Sequence, residues 1–136
     1  MKISKKAEYA LRSIVAIAKR PATRPVSIQE LVAEEAIPVK FLEQILLSLK
    51  HGGLLISKRG VGGGYRLAKT PDQISVGQIL TLIDGAFAPL PDINPQSGLS
   101  ICFSELEKLV NDFLSTHSIA DIISKEREDD AMAFDI

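Results

Sequence analysis

The sequence predicts a mostly helical chain carrying one two-stranded hairpin, on three observations. Apolar residues recur at spacings of three and four along several separate stretches. Serines stand just before three of them, where a hydroxyl can accept an N–H of the first turn. A glycine run, Gly60-Val61-Gly62-Gly63-Gly64, separates two short stretches of strand character.

Each element follows from its own residues. Ser4 caps a first helix with Ala7, Leu11, Ile14, Val15 and Ala18 inward, ending before Pro21. Ser27 with Glu30 three residues on is a capping box, and Ile28, Leu31, Val32 and Ala36 form the buried face of the second helix. Ile37-Pro38 breaks that helix and starts a third, Val39 to His51, stopped by Gly52-Gly53. Val39, Leu42, Ile45, Leu46 and Leu49 line its inner side. Lys40, Glu43, Gln44, Leu47 and Lys50 line the outer one. Two helices joined by a tight turn after a longer first helix make a tri-helical helix-turn-helix. Leu54–Lys58 and Tyr65–Ala68 then pair as a hairpin with a glycine tip. The fold expected is therefore a winged helix-turn-helix with a two-stranded wing.

Ser75 caps a further helix with Val76, Ile79, Leu80 and Ile83 inward, stopped by Gly85. Residues 86–102 hold Pro89, Pro91, Pro95 and Gly98 and predict a long loop. Ser104 to His117 predicts a long C-terminal helix with the stripe Phe103, Leu106, Leu109, Val110, Phe113 and Leu114. Ser118 caps a last short turn, Ile119 to Ile123. The divisions expected are a winged-helix unit over 1–70, a linker helix, variable loop and dimerisation helix over 71–124, and a disordered acidic tail over 125–136.

Net charge sharpens that division. The 136 residues sum to −1, but residues 1–70 hold thirteen Lys and Arg against five Glu, whereas residues 71–136 hold three against twelve acids. A basic half and an acidic half point to different partners. No apolar stretch approaches the roughly 18 residues of a membrane span, and no secretory signal is visible, so a cytoplasmic location is expected. The single Cys102 excludes an intrachain disulfide framework and a multi-thiolate zinc site.

The glycine run matches no nucleotide loop: Tyr65 follows its last glycine, where a P-loop needs Lys, and strands flank it on both sides. Lys58 and Arg59 at a narrow tip suit a minor groove instead, with Gly62 and Gly63 allowing close approach. On the third helix, Gln44 can bond adenine, Glu43 can accept from cytosine, and Lys40 can reach guanine or phosphate. Lys2, Lys5, Lys6, Arg12, Lys50 and Arg66 are the candidate phosphate contacts. Leu106, Leu109, Val110, Phe113 and Leu114 are the candidate dimerisation residues, against packing onto their own domain. His51 and His117 have no nucleophile motif nearby, so no catalytic site and no metal site are expected.

Together these segments resemble the winged-helix regulator family that includes the iron–sulphur regulator IscR, the nitric-oxide sensor NsrR and the cysteine-metabolism repressor CymR, over about residues 1–123. The resemblance rests on Ala7-Glu8-Tyr9-Ala10-Leu11-Arg12, on Phe41-Leu42-Glu43-Gln44-Ile45-Leu46, and above all on the wing, Ile56 through Ala68. It implies that Glu43 and Gln44 read bases, that Arg59 enters the minor groove, and that Ser104–His117 dimerises. Cluster-binding members carry three cysteines between wing and dimerisation helix; this chain has only Cys102 there. Glu8 sits where some members supply a carboxylate ligand, which does not replace two thiols. The resemblance is therefore to the cluster-free branch, and no cofactor is expected.

The function expected is a homodimeric, sequence-specific DNA-binding transcription regulator, a repressor acting on an inverted repeat. A small molecule, a protein effector or oxidation of Cys102 would supply the signal. The alternative is a winged-helix interaction module that regulates a partner enzyme.

Overall fold

Ser4 opens the first helix as expected, its hydroxyl oxygen accepting the Ala7 N–H at 3.0 Å. The computed structural model describes residues 2–90 and 94–134, so Pro91 of the expected loop lies outside the described residues. Helix α1 spans Lys5–Ala18. Its inner stripe is Ala7, Ala10, Ile14 and Ile17, so Ala10 and Ile17 replace Leu11, Val15 and Ala18 of the expected one, which are only partly buried. Small Ala7 and Ala10 let neighbouring helices lie close, which is why they occupy the centre.

Helix α2, Ile28–Glu35, carries the full capping box between Ser27 and Glu30. It ends at Ala36, whose left-handed φ of 53° turns the chain so that Ile37, not Ala36, enters the core. Helix α3, Val39–His51, buries Leu42, Ile45, Leu46 and Leu49 completely. Val39 is an exception to the expected face: it stands in the first turn of α3 and is exposed, whereas Leu42, three residues on, is buried. The helix closes with a Schellman motif: Leu54 N–H donates to Leu49 C=O, Gly53 N–H donates to Lys50 C=O, and Gly53 supplies φ of 79°.

Strands β1, Leu55–Lys58, and β2, Gly64–Leu67, pair antiparallel with Leu55 opposite Leu67 and Lys58 opposite Gly64. The sequence reading missed one further pairing. Val26 and Tyr65 exchange two backbone hydrogen bonds of 2.8 Å, so strand β2 of the wing is tied to the entry of α2.

A 3₁₀ turn, Pro71–Gln73, leads into α4, Val76–Asp84, capped by Ser75 and Gln78 in a second capping box. The long helix α5 spans Gly98–Thr116 and so begins six residues before the expected Ser104. Ser97 accepts the Ser100 N–H at 3.1 Å, and Gly98 is tolerated in a first turn that has no intrahelical N–H bonds to lose. Proline and glycine there mark a helix start, not loop interior.

Ser118 and Asp121 exchange reciprocal bonds that open α6, Ile119–Phe134. The expected short turn and disordered tail are thus one continuous helix through Phe134. Ile119 and Ile123 anchor it in the core, Lys19 pairs with Glu126, and the following Glu, Arg, Ala and Met residues are good helix formers.

One core joins these elements. Ile74, Ile79, Ile119 and Ile123 belong to the same buried cluster as Ile14, Leu31, Leu42 and Leu46. The charge boundary near residue 70 is therefore not a boundary of packing. α5 is the exception, with no buried residue.

Candidate nucleic-acid interface

The outward face of α3 is held in place from behind. Phe41 meets the edge of Tyr9 at 5.6 Å between centroids and 87° between planes, which fixes the first turn of α3 against α1. The cations of Lys5 and Arg12 lie 5.5 and 5.4 Å from the same Tyr9 ring. At the other end, Leu82 of α4 sits against Gly52, where any Cβ would come within 2.4 Å of it. Asp84, the last residue of α4, accepts the Ser4 N–H at 3.0 Å and the Ser4 hydroxyl. α4 thus touches both the end of α3 and the start of α1.

From this platform Lys40, Glu43, Gln44, Leu47 and Lys50 project into solvent. The wing carries Lys58 and Arg59 to its exposed tip, beside a fully exposed Val61. Two glycines at the tip do different work. Gly62 adopts φ of 75° in open space, whereas a Cβ on Gly63 would lie 2.2 Å from the Lys58 carbonyl oxygen.

The electrostatics separate two groups of cations. Of thirteen in the first seventy residues, Lys5, Arg12, Lys19, Arg20 and Arg24 are paired with carboxylates. Lys2, Lys6, Lys40, Lys50, Lys58, Arg59, Arg66 and Lys69 form no ion pair among the described residues. Four of the five glutamates in that half are consumed by the pairs. Glu43, on the outward face of α3, is the one left without a cation among the described residues. A lone acceptor among free cations is a surface suited to nucleic acid, with one carboxylate available to a base edge.

Arg12 does not join that surface. It pairs with Glu8 at 3.4 Å and Glu35 at 3.3 Å and donates to the Glu35 carbonyl, capping the end of α2. Lys5 is paired with Glu8 at 3.4 Å but remains well exposed.

The family model described as Rrf2, an iron-dependent transcriptional regulator, matches residues 3–125. The chain belongs to the Rrf2 family. An Rrf2-type relative, the regulator CymR of Bacillus subtilis, is 32% identical over 132 residues, covering 94% of this chain and 96% of CymR. IscR of Aliivibrio salmonicida is 36% identical over 84 residues, 62% of this chain and half of IscR. Among solved structures, CymR, the global cysteine regulator of B. subtilis, superposes with a TM-score of 0.81 at 28% identity, over 92% of this chain and 98% of that one. T. potens IscR gives 0.82 at 26% identity, over 94% and 90%. This Rrf2 chain is accordingly a DNA-binding transcription regulator with a winged helix-turn-helix fold, and the likeness extends through α5.

The second half of the Rrf2 fold presents two further features. Leu109 and Phe113 on α5 are 68% and 58% exposed, and Leu99 and Cys102 continue the same face toward the helix start. Leu99 was missed because its segment read as loop. Leu106 is half-buried beside them, while Val110 and Leu114 turn inward toward α4. Gly77 permits that contact, a Cβ there coming within 3.2 Å of the Leu114 backbone. Between α4, α5 and residues 85–89 lies an open cleft of about 1160 Å³, lined by Leu82, Phe87, Val110 and Leu114 with Lys2 and Asn111 among its polar residues. Among the described residues no three His, Cys, Asp or Glu side chains converge as metal ligands, and no helix is long and apolar enough to cross a membrane.

Proposed function

We propose that the chain acts as a cytoplasmic homodimer that represses transcription by binding an inverted repeat. The observation that carries this reading is α5: nineteen residues with none buried and an apolar face open to solvent. A second copy of the same face covers it, and two-fold pairing spaces two recognition helices by about one DNA turn, some 34 Å. Leu106, Leu109 and Phe113 form the centre of that contact, with Val110 and Leu114 bracing α5 on its own α4. Each subunit then offers Lys40, Glu43 and Gln44 to the major groove and Arg59, with Lys58, Gly62 and Gly63, to the minor groove. Lys50 serves as a phosphate contact, with Lys5 at the margin. A compact dimer lying across its operator represses most simply by excluding polymerase.

An iron–sulphur cluster does not fit this chain. A cluster needs three or four ligands, and the one thiol, Cys102, is exposed on the first turns of α5. The signal therefore enters as a small molecule or protein effector at the α4–α5 cleft, whose walls reach α3 through Leu82 and α1 through Asp84. Oxidation of Cys102 is the competing input, and peroxide responses that persist in Cys102→Ser would end it.

The experiment is sedimentation of the wild type and of Leu109→Glu with Phe113→Glu, followed by binding to an inverted repeat selected from random duplexes. The wild type should sediment as a dimer and bind the full repeat far more tightly than a half-site. The double variant should be a folded monomer that no longer distinguishes the two. A wild-type monomer would contradict the reading.

A further inference from the structure

The outward face of α3 carries one apolar residue among its polar ones. Lys40, Gln44, Leu47 and His51 recur at spacings of four, three and four, which places them on one line along the helix. All four are exposed, and Leu47 is 50% so. The other apolar residues of α3 are accounted for. Leu42, Ile45, Leu46 and Leu49 fill the core, Phe41 leans on Tyr9, and Val39 lies in the first turn, off the line. An exposed leucine is ordinary on a helix that faces water. This one lies on the face that meets DNA, one turn past Glu43 and Gln44.

We infer that Leu47 is a specificity-determining residue that reads the C5-methyl group of a thymine. The inference rests on the reading that α3 lies in the major groove. The thymine methyl is the one apolar feature that groove presents, and a leucine there can neither bond a base edge nor reach a phosphate with charge. One helical turn advances about 5.4 Å, so the thymine stands within about two base pairs of those met by Glu43 and Gln44. Leu47 adds apolar contact to a set of polar contacts, and so fixes a position that the charged residues cannot distinguish.

The test uses the operator selected from random duplexes. Each thymine of one half-site is replaced in turn by deoxyuridine, which removes only the methyl, and binding is measured for the wild type and for Leu47→Ala. At one thymine the wild type should lose about fourfold in affinity, the worth of one buried methyl. Leu47→Ala should bind the thymine and uracil duplexes equally. Alanine is the better helix former and Leu47 supports no core contact, so the variant should keep the wild-type melting temperature. The inference is overturned if no thymine in the half-site matters, if the same loss persists in Leu47→Ala, or if the selected half-site prefers no thymine. Failure to select any specific sequence would instead overturn the major-groove reading beneath it.

Discussion

Gly62, Gly63 and Gly64 stand side by side in the wing, yet each is glycine for its own reason. Gly62 needs only a positive φ, with nothing within 4 Å of a Cβ. Gly64 combines φ of 148° with the Val26 backbone, whose carbonyl oxygen lies 2.4 Å from a Cβ position. Gly62→Ala should therefore cost roughly 1 kcal/mol of backbone strain. Gly64→Ala should cost roughly 2–3 kcal/mol, because it also forces the wing off α2. Denaturant melts of both variants check this; equal losses would mean that the Val26 pairing does not support the wing. The run was legible in the sequence as a hairpin tip, but not this difference, since it depends on a pairing with Val26 nearly forty residues away. Arg12 gives the same lesson. As sequence it is one more cation of a basic half, and only the structure shows it held by Glu8 and Glu35. Arg12→Ala should lower stability by about 1 kcal/mol through the lost cap on α2, while leaving the salt dependence of DNA binding unchanged. A slope reduced by about one phosphate would make Arg12 a DNA contact after all.

Helices α1 to α4 were legible because each start carries its own signal: the caps Ser4 and Ser75, the box Ser27–Glu30, and Pro38. The start of α5 was not, because Pro95 and Gly98 look like loop until Ser97 is seen capping the helix. The length of α6 was hidden by its acidic composition, whereas its stability comes from Ile119 and Ile123 in the core and from its cap. That cap has a pH signature. Backbone and side-chain hydrogen bonds from Ser118 hold the Asp121 carboxyl below its ordinary value. A carboxyl with a depressed folded value stabilises the helix at neutral pH, and the contribution disappears as pH falls through that value, in the acid range below the usual one. Protection of the amides in the first turn of α6, taken relative to their intrinsic exchange rates, should fall there in the wild type. In Asp121→Asn exchange should be faster at neutral pH already and should lack this acid step. An identical pH profile for both would remove Asp121 as the cap.

At the scale of the molecule, the net charge of −1 conceals a basic winged helix and an acidic second half that share one core. The charge asymmetry could be read directly from the sequence; the shared core could not, since it requires α4 and α6 to fold back onto α1 and α3. That arrangement brings α4 of the second half into contact with α3 and α1. A ligand or partner that moves α4 moves Leu82 against Gly52 and Asp84 against Ser4, and so acts on both ends of the reading unit. It also leaves eight cations of the first half without acidic partners among the described residues, available to phosphates. The most direct measurement is the affinity of the purified chain for its selected inverted repeat and for a scrambled duplex of equal length, across a salt series. The repeat should be bound at least about a thousandfold more tightly. Affinity for it should fall by about three to five orders of magnitude between 50 and 200 mM salt, as for six to ten phosphate contacts per dimer. Equal affinity for the two duplexes, or binding indifferent to salt, would contradict the account.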